Sequence, residues 1–234
     1  MTKKHKLVLI GDSAFAEVAY EYFTVDSEYE VVAFSVERKF MTRQSFLGLP
    51  LVAFEDLEQT HAPGAHHFFA ALVYNQGNRL RTRLYQAAKA KGFAPASYVS
   101  PNAFVWRDVK IGEHCFIFEN NVIQPRVTIG NNVVLWSGNH IGHHSSIKDN
   151  CFLSSHVVIS GFVEIGENCF MGVNSTVANN IAIGNHVLIG AGALILADVP
   201  NHRVAVGTWK KPSAAPPVPP ERQPETQSDP AKKF

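Results

Sequence analysis

The sequence predicts a small α/β domain followed by a parallel β-helix, and three observations carry that prediction. Strand-like and helix-like segments alternate at the start of the chain. Aliphatic residues then recur at every sixth position without a break, and the repeats stack in blocks of eighteen whose columns match.

The N-terminal elements read in order. Residues 7–10 (LVLI) form a short buried-strand run, the Gly11-Asp12-Ser13 turn follows, and a helical pattern covers 14–23. A second strand is expected over 30–36, a third apolar run over 50–54 and a fourth strand over 67–73. Residues 78–91 place Leu80, Leu84, Ala87 and Ala88 on one helical face, and Gly92 closes that helix. Strands alternating with helices imply Rossmann-like βαβ units around a parallel sheet, assigned to residues 1–96.

From Val99 the period changes. Val99, Val105, Ile111, Ile117, Ile123 and every sixth residue after them to Ile195 are aliphatic or Met. Neither a strand period of 2.0 nor a helix period of 3.6 explains such a run, and hexapeptide periodicity is the mark of a parallel β-helix, here residues 97–212. Ile111, Ile129, Ile147, Ile165 and Ile183 share a column; Gly112, Gly130, Gly166 and Gly184 follow four of them, and Lys148 is the departure. Glycine there suits a corner that needs positive φ or close backbone approach. Eighteen residues therefore make one triangular coil of three short strands, rising about 4.8 Å per coil.

Cys115, Cys151 and Cys169 share a column with Val133 and Val187, which makes them small core-facing residues; no zinc-like spacing occurs. Asn121 and Asn139 read as an inward hydrogen-bonded ladder. The period ends after Ile195, so 204–211 is expected to be a loop or cap over the last coil. Residues 213–234, rich in Pro, Ser, Gln and charge, are expected to be a disordered tail.

A net charge of about +1 with no Lys/Arg block argues against nucleic-acid and membrane-surface roles, both of which need a concentrated basic face. The apolar run at 7–10 is too short for a signal peptide and no stretch has the length of a transmembrane helix. The expected compartment is the cytoplasm.

Four of the eleven histidines fall within one coil: His140, His143, His144 and His156. His143 and His144 lie just past Ile141, at an outward corner, with Pro125 in the column beneath His143 and Gly161 above it. That glycine is expected to leave an unfilled space beside the imidazole; His156 has Gly138 one coil below. Three readings stand: a general base, solvated corner residues, or a metal site from His140, His143 and His144. His114 and His186 occupy one column past a corner glycine and read as surface residues. The Gly11 turn opens a helix, where amides can hold phosphate or simply turn the chain; it lacks a full GxGxxG.

A small α/β domain joined to a hexapeptide helix resembles the bacterial sugar acetyltransferases of the sialic-acid and bacillosamine pathways. The resemblance spans residue 6 to about 212, and its most specific part is Ile141-Gly-His-His-Ser-Ser-Ile-Lys-Asp-Asn-Cys-Phe-Leu-Ser. It implies a left-handed β-helix and acetyl-CoA-dependent N-acetylation of a nucleotide-linked amino sugar for surface polysaccharide. It also implies a homotrimer with active sites between subunits, and no metal. On that match His143 stands at the family's catalytic base. His144 replaces the usual Asp or Glu after it, Phe152 replaces a second histidine, and His156 becomes a possible substitute. The positions matching the CoA contacts are Gly161 and Gly190-Ala191-Gly192. The segment from Val206 to Lys211 matches the family's Gly-x-Pro-Ala-Lys end without its proline, which offers Lys210 or Lys211 to a CoA phosphate. Gly11, Asp12 and Ser13 match the nucleotide-facing turn, and Ser35, Val36 and Glu37 stand where an Asp-Asp pair often occurs. The alternatives are sugar O-acetylation, a γ-carbonic-anhydrase-like metal enzyme, and a non-catalytic β-helix binding protein.

Overall fold

The structure is a computed structural model that describes residues 2–210. The expected tail at 213–234 lies outside the described residues, as does Lys211.

Strands β1 (His5–Ile10), β2 (Tyr29–Val36), β3 (Ser45–Phe46), β4 (Leu49–Ala53), β5 (His66–Ala70) and β6 (Ala94–Pro95) form one sheet in the order β3-β4-β2-β1-β5-β6. All neighbours pair in parallel except β3 and β4. The central β1 is buried on both faces, which is why 7–10 reads as an unbroken apolar run. Helix α1 (Ala14–Asp26) covers one face with Phe15, Ala16, Ala19 and Phe23, while α2 (Leu57–Thr60) and α3 (Arg79–Ala90) cover the other with Leu57, Leu84, Tyr85 and Ala88.

The second unit is a triangular coil of parallel two-residue strands with three faces of seven, seven and five strands. Partners lie eighteen residues apart: Phe116 opposite Val134, Val122 opposite His140, Thr128 opposite Ser146. The first face runs from Tyr98–Val99 to Val204–Ala205, the second from Phe104–Val105 to Thr208–Trp209, and the third from Lys110–Ile111 to Ala182–Ile183. Inside lies a buried column of Ile, Val, Leu, Met and the three cysteines.

The coil outlasts its own period. Val204–Ala205 pairs with Leu188–Ile189 and Thr208–Trp209 pairs with Leu194–Ile195, so 204–209 is further β-helix and not a loop. These last registers are offset by sixteen and fourteen residues, because the final corners are shortened, and a six-residue count loses them.

One corner expectation is narrowed and another changes. Gly112, Gly130, Gly166 and Gly184 do not have positive φ; a Cβ on Gly130 would stand 2.8 Å from the Asp149 amide nitrogen of the next coil, so close approach alone requires them. The left-handed residues sit two positions later, every sixth along the chain. They include His114, Asn120, Asn132, His144, Asn150, His156, Asn168, Asn174, Asn180 and His186, all with φ near +60°. Asn is the usual non-glycine choice there. Asn121 and Asn139 are buried as expected, but they bond to backbone and not to one another. Asn121 Nδ2 donates to Phe118 O and Trp136 O, and Asn139 Nδ2 to Trp136 O, because carbonyls of the turning chain stand nearer than the next side chain.

The N-terminal domain docks on the first face. Phe116, Phe118, Val134 and Phe152 share a core with Phe15, Phe23 and Phe69. Helix α3 runs beside the corner between the third and first faces. Arg81 Nη2 donates to Asn132 O at 2.6 Å and Asn78 Nδ2 to Asn150 O at 2.6 Å, while Tyr85 and Lys89 both reach Glu113. His114 is therefore not a surface residue: it is 1% exposed beneath Phe69 and Tyr85. Its Nε2 accepts from the Ala70 amide at 2.8 Å, which leaves Nδ1–H to donate to Asn132 Oδ1 at 2.9 Å. His186, in the same column beyond the docked domain, stays exposed.

Burial, aided by the nearby Arg81 charge, holds His114 down to about 3, so it is neutral in the fold. In the unfolded chain an imidazole titrates near 6.5, and between those values only the unfolded state takes up the proton. Stability contributed by the neutral form is thus complete above about 6.5 and falls as pH drops, at ~1.4 kcal/mol per pH unit. Chemical denaturation at pH 7.5 and 5.5 should show wild type losing roughly 1.4 kcal/mol more than His114→Gln over that step. Equal losses would show that His114 takes up protons in the native state.

Candidate active site

Two clefts, two corners of the coil and the end of its second face hold the residues that the sequence singles out. Gly11 follows β1 with φ +127°, and a Cβ there would stand 2.8 Å from Ala71 O, so both the turn and the space require glycine. Its amide donates to Ser35 O at 2.8 Å, and Ser13 opens α1. Beside this turn lies a cleft of about 330 Å³ at the carboxyl ends of β1 and β2, where open parallel sheets bind their ligands. Gly11, Asp12, Ser13 and Glu37 all line it. Asp12 is held by Arg43 at 2.9 Å and Glu37 by Arg83 at 2.8 Å. Ser35, Phe40, Leu72, Leu80 and Leu84 complete the walls. The Ser35 hydroxyl is buried and has no hydrogen-bond partner, a polar atom in an otherwise apolar wall.

A second cleft, of about 380 Å³, is lined by the residues that follow Leu72 in the chain. Leu72 lines the first; Val73 and Tyr74 line the second, opposite Trp136, Phe152, Ser154, Ser155, Phe170 and Val173. In the sequence Phe152 stands out only as the residue at the position of a second family histidine. The available signal was the outward column Phe116, Val134, Phe152, Phe170: a docked face, then aromatic residues beyond it.

His143 and His144 occupy the corner between the second and third faces, the edge of the prism opposite the docked domain. The His143 amide donates to Gln124 Oε1 at 2.9 Å. Nδ1 of His143 lies 3.1 Å from Nδ1 of His144, so one of them carries the shared proton. When His143 carries it, His144 fixes the ring and leaves His143 Nε2 as a free base, which is the part an acidic neighbour would play. The His144 ring is itself stacked on Phe162, centroids 4.7 Å apart.

The space over Gly161 is not unfilled. A Cβ there would lie 2.7 Å from His143 Cε1 and 2.9 Å from its Nε2, so the imidazole itself occupies the room that glycine leaves. The same holds for His156 and Gly138, because each ring folds back on a neighbouring coil. His156 belongs to the corner between the first and second faces, and the fold does not bring it to His143. Gly190, Ala191 and Gly192 follow Leu188–Ile189 at that same corner, whereas Gly161 lies with His143, and Lys210 follows Thr208–Trp209 on the second face. Among the described residues no three His, Cys, Asp or Glu side chains are grouped to hold a metal ion. No helix of the described residues is long and apolar enough to cross a membrane.

Residues 108–143, 126–161 and 144–179 match the family model for bacterial transferase hexapeptide repeats, and 162–197 match that for the hexapeptide repeat of succinyl-transferase. No curated protein matches the sequence. Among solved structures, the chain is similar to the acetyltransferase domain of PglB from Neisseria gonorrhoeae FA1090. The two are 25% identical, cover 87% of this chain and 97% of that one, and superpose with a TM-score of 0.78. It is also similar to PerB of Caulobacter crescentus, solved with CoA and GDP-perosamine: 27% identity, 86% and 94% coverage, TM-score 0.77. The chain is a hexapeptide-repeat acyltransferase. Its β-helix is left-handed, against the usual hand of parallel crossovers. In this acyltransferase the likeness extends over the N-terminal domain as well as the repeats.

Proposed function

We propose that the protein transfers the acetyl group of acetyl-CoA to the amine of a nucleotide-linked amino sugar used for surface polysaccharide. One observation carries this reading above others. The chain at Leu72, Val73 and Tyr74 lines both a nucleotide-sized cleft at Gly11 and an aromatic cleft that can hold a sugar against Trp136. The likeness to PerB, solved with CoA and a nucleotide sugar, spans both.

His143 Nε2 receives the proton of the acceptor amine as its nitrogen attacks the thioester carbonyl; the C–N bond forms, the C–S bond breaks, and the proton held on His143 passes to the departing thiolate, so that CoA leaves as the thiol and the imidazole is neutral again. His144 Nδ1 holds the imidazole for this role. The acceptor lies against its own domain, while His143 of the same chain lies on the opposite edge of the prism, so the base comes from a neighbouring copy. Exposed apolar residues on the second face, Phe104, Val122, Val158 and Leu194, with His140 and Thr176 between them, support burial against such copies in a homotrimer. The CoA positions divide in the same way: Gly161 and His143 from one copy face Gly190, Ala191 and Gly192 of the next, with Lys210 near the end of the track.

Free-thiol release from acetyl-CoA, measured across nucleotide-linked amino sugars, their hydroxyl counterparts and free sugars, tests the acceptor class. Release confined to nucleotide-linked amino sugars is expected. Faster release with a free sugar, or with a hydroxyl acceptor, would overturn it.

A further inference from the structure

A third cleft, of about 420 Å³, lies on the other side of the first turn of α3. It is lined by Gln76, Gly77, Arg79, His186 and His202 and shares no residue with the two clefts described above. His186 and His202 come from successive passes of the corner between the third and first faces. Their rings are stacked, with centroids 4.9 Å apart and planes within 7°. No carboxylate lines the cleft. Arg79 has no salt-bridge partner among the described residues, whereas Arg83, one turn along the same helix, binds Glu37. One guanidinium and two imidazoles, from the start of α3 and from the coil corner, therefore converge on one space with no anion among its lining residues. The amino end of the twelve-residue α3 adds its own positive field.

The arrangement selects among anions. A guanidinium fork on one side and two imidazole edges on the other offer hydrogen bonds from several directions, which suits tetrahedral oxygens better than a planar carboxylate. The cleft is also larger than one inorganic ion, so the group can arrive on a larger molecule. We propose that this cleft binds a phosphoryl group, held by Arg79, His186 and His202. Its occupant would brace the start of α3, whose opposite side, Leu80 and Leu84, walls the cleft at Gly11.

Calorimetric titration of the full chain with inorganic phosphate, in phosphate-free buffer, tests the site. Saturable binding is expected, with Kd raised roughly ten-fold or more by Arg79→Ala and by His202→Gln, the scale of a lost charge-assisted hydrogen bond. His143→Asn should leave that Kd unchanged. Both Arg79 and His202 are exposed, and an unaltered melting temperature confirms that the variants fold. Parallel titrations with CoA and 3′-dephospho-CoA separate the sources. A preference for CoA that disappears in Arg79→Ala assigns the site to the phosphate that CoA carries; equal binding of the two, alongside saturable inorganic phosphate, assigns it to free phosphate. Absence of saturable phosphate binding, or a Kd untouched by both substitutions, would overturn the proposal. Binding is read without turnover, so failure of the acetyl-transfer reading would leave this result standing.

Discussion

His143→Asn should lower kcat at least ~10²-fold with little change in either KM, the scale of a lost general base. The imidazole is exposed at a corner and folds over Gly161, so asparagine removes the base without opening a core cavity, and the melting temperature should hold. His144→Asn should cost less than His143→Asn, because it removes the 3.1 Å partner that orients the ring and leaves the base in place. His156→Asn should cost least. Its ring lies on Gly138 at another corner, and its left-handed backbone, φ +59°, already explains a residue of that kind there. Steady-state kinetics on the three variants decides the order. Near-wild-type turnover for His143→Asn, with loss in His156→Asn, would exchange their roles.

The repeats were legible because each inward residue meets its own kind eighteen positions on, so packing writes itself into the sequence as a period. Where packing is not periodic, the reading failed. Nothing local marks His114 as buried; it sits in the same column as the exposed His186, and only the docked domain, distant in sequence, separates their fates. The Gly11 turn was legible as a turn because its backbone needs glycine, while the residues alone left open whether it holds phosphate or only turns the chain. Trp136 and Phe170 gave away nothing, since an outward aromatic is informative only once it is known which face the other domain covers. The shortened registers at Val204 and Thr208 hid two strands for the opposite reason: their pairing is intact but their count is not. Docking also bears on experiments with the isolated helix. A chain cut near Ala94 would expose Phe116, Phe118 and Val134, and aggregation is its expected fate, so the role of the N-terminal domain is better tested by substitution.

Mixing two inactive variants should restore activity. Leu80→Trp places added bulk on a half-buried wall of the cleft at Gly11 and should abolish acceptor binding, while leaving the corner at His143 untouched. His143→Asn does the reverse. If one copy's cleft works with a neighbour's histidine, a site in a randomly mixed trimer needs an intact cleft from one copy and an intact histidine from another. Tandem purification keeps only trimers that hold both variants, and in each of these one of the three cleft–histidine pairs is intact, so about one third of the sites should be active. Against parents reduced ~10²-fold or more, that is a large recovery. It rests on the position of His143 on the prism edge opposite the docked face, from which its own cleft is out of reach. Co-expression of the two variants with different tags, tandem purification and thiol-release kinetics give the measurement. Mixed oligomers no more active than their parents would place cleft and histidine in one chain, and the path of the acceptor along Val73 and Tyr74 would have to be redrawn.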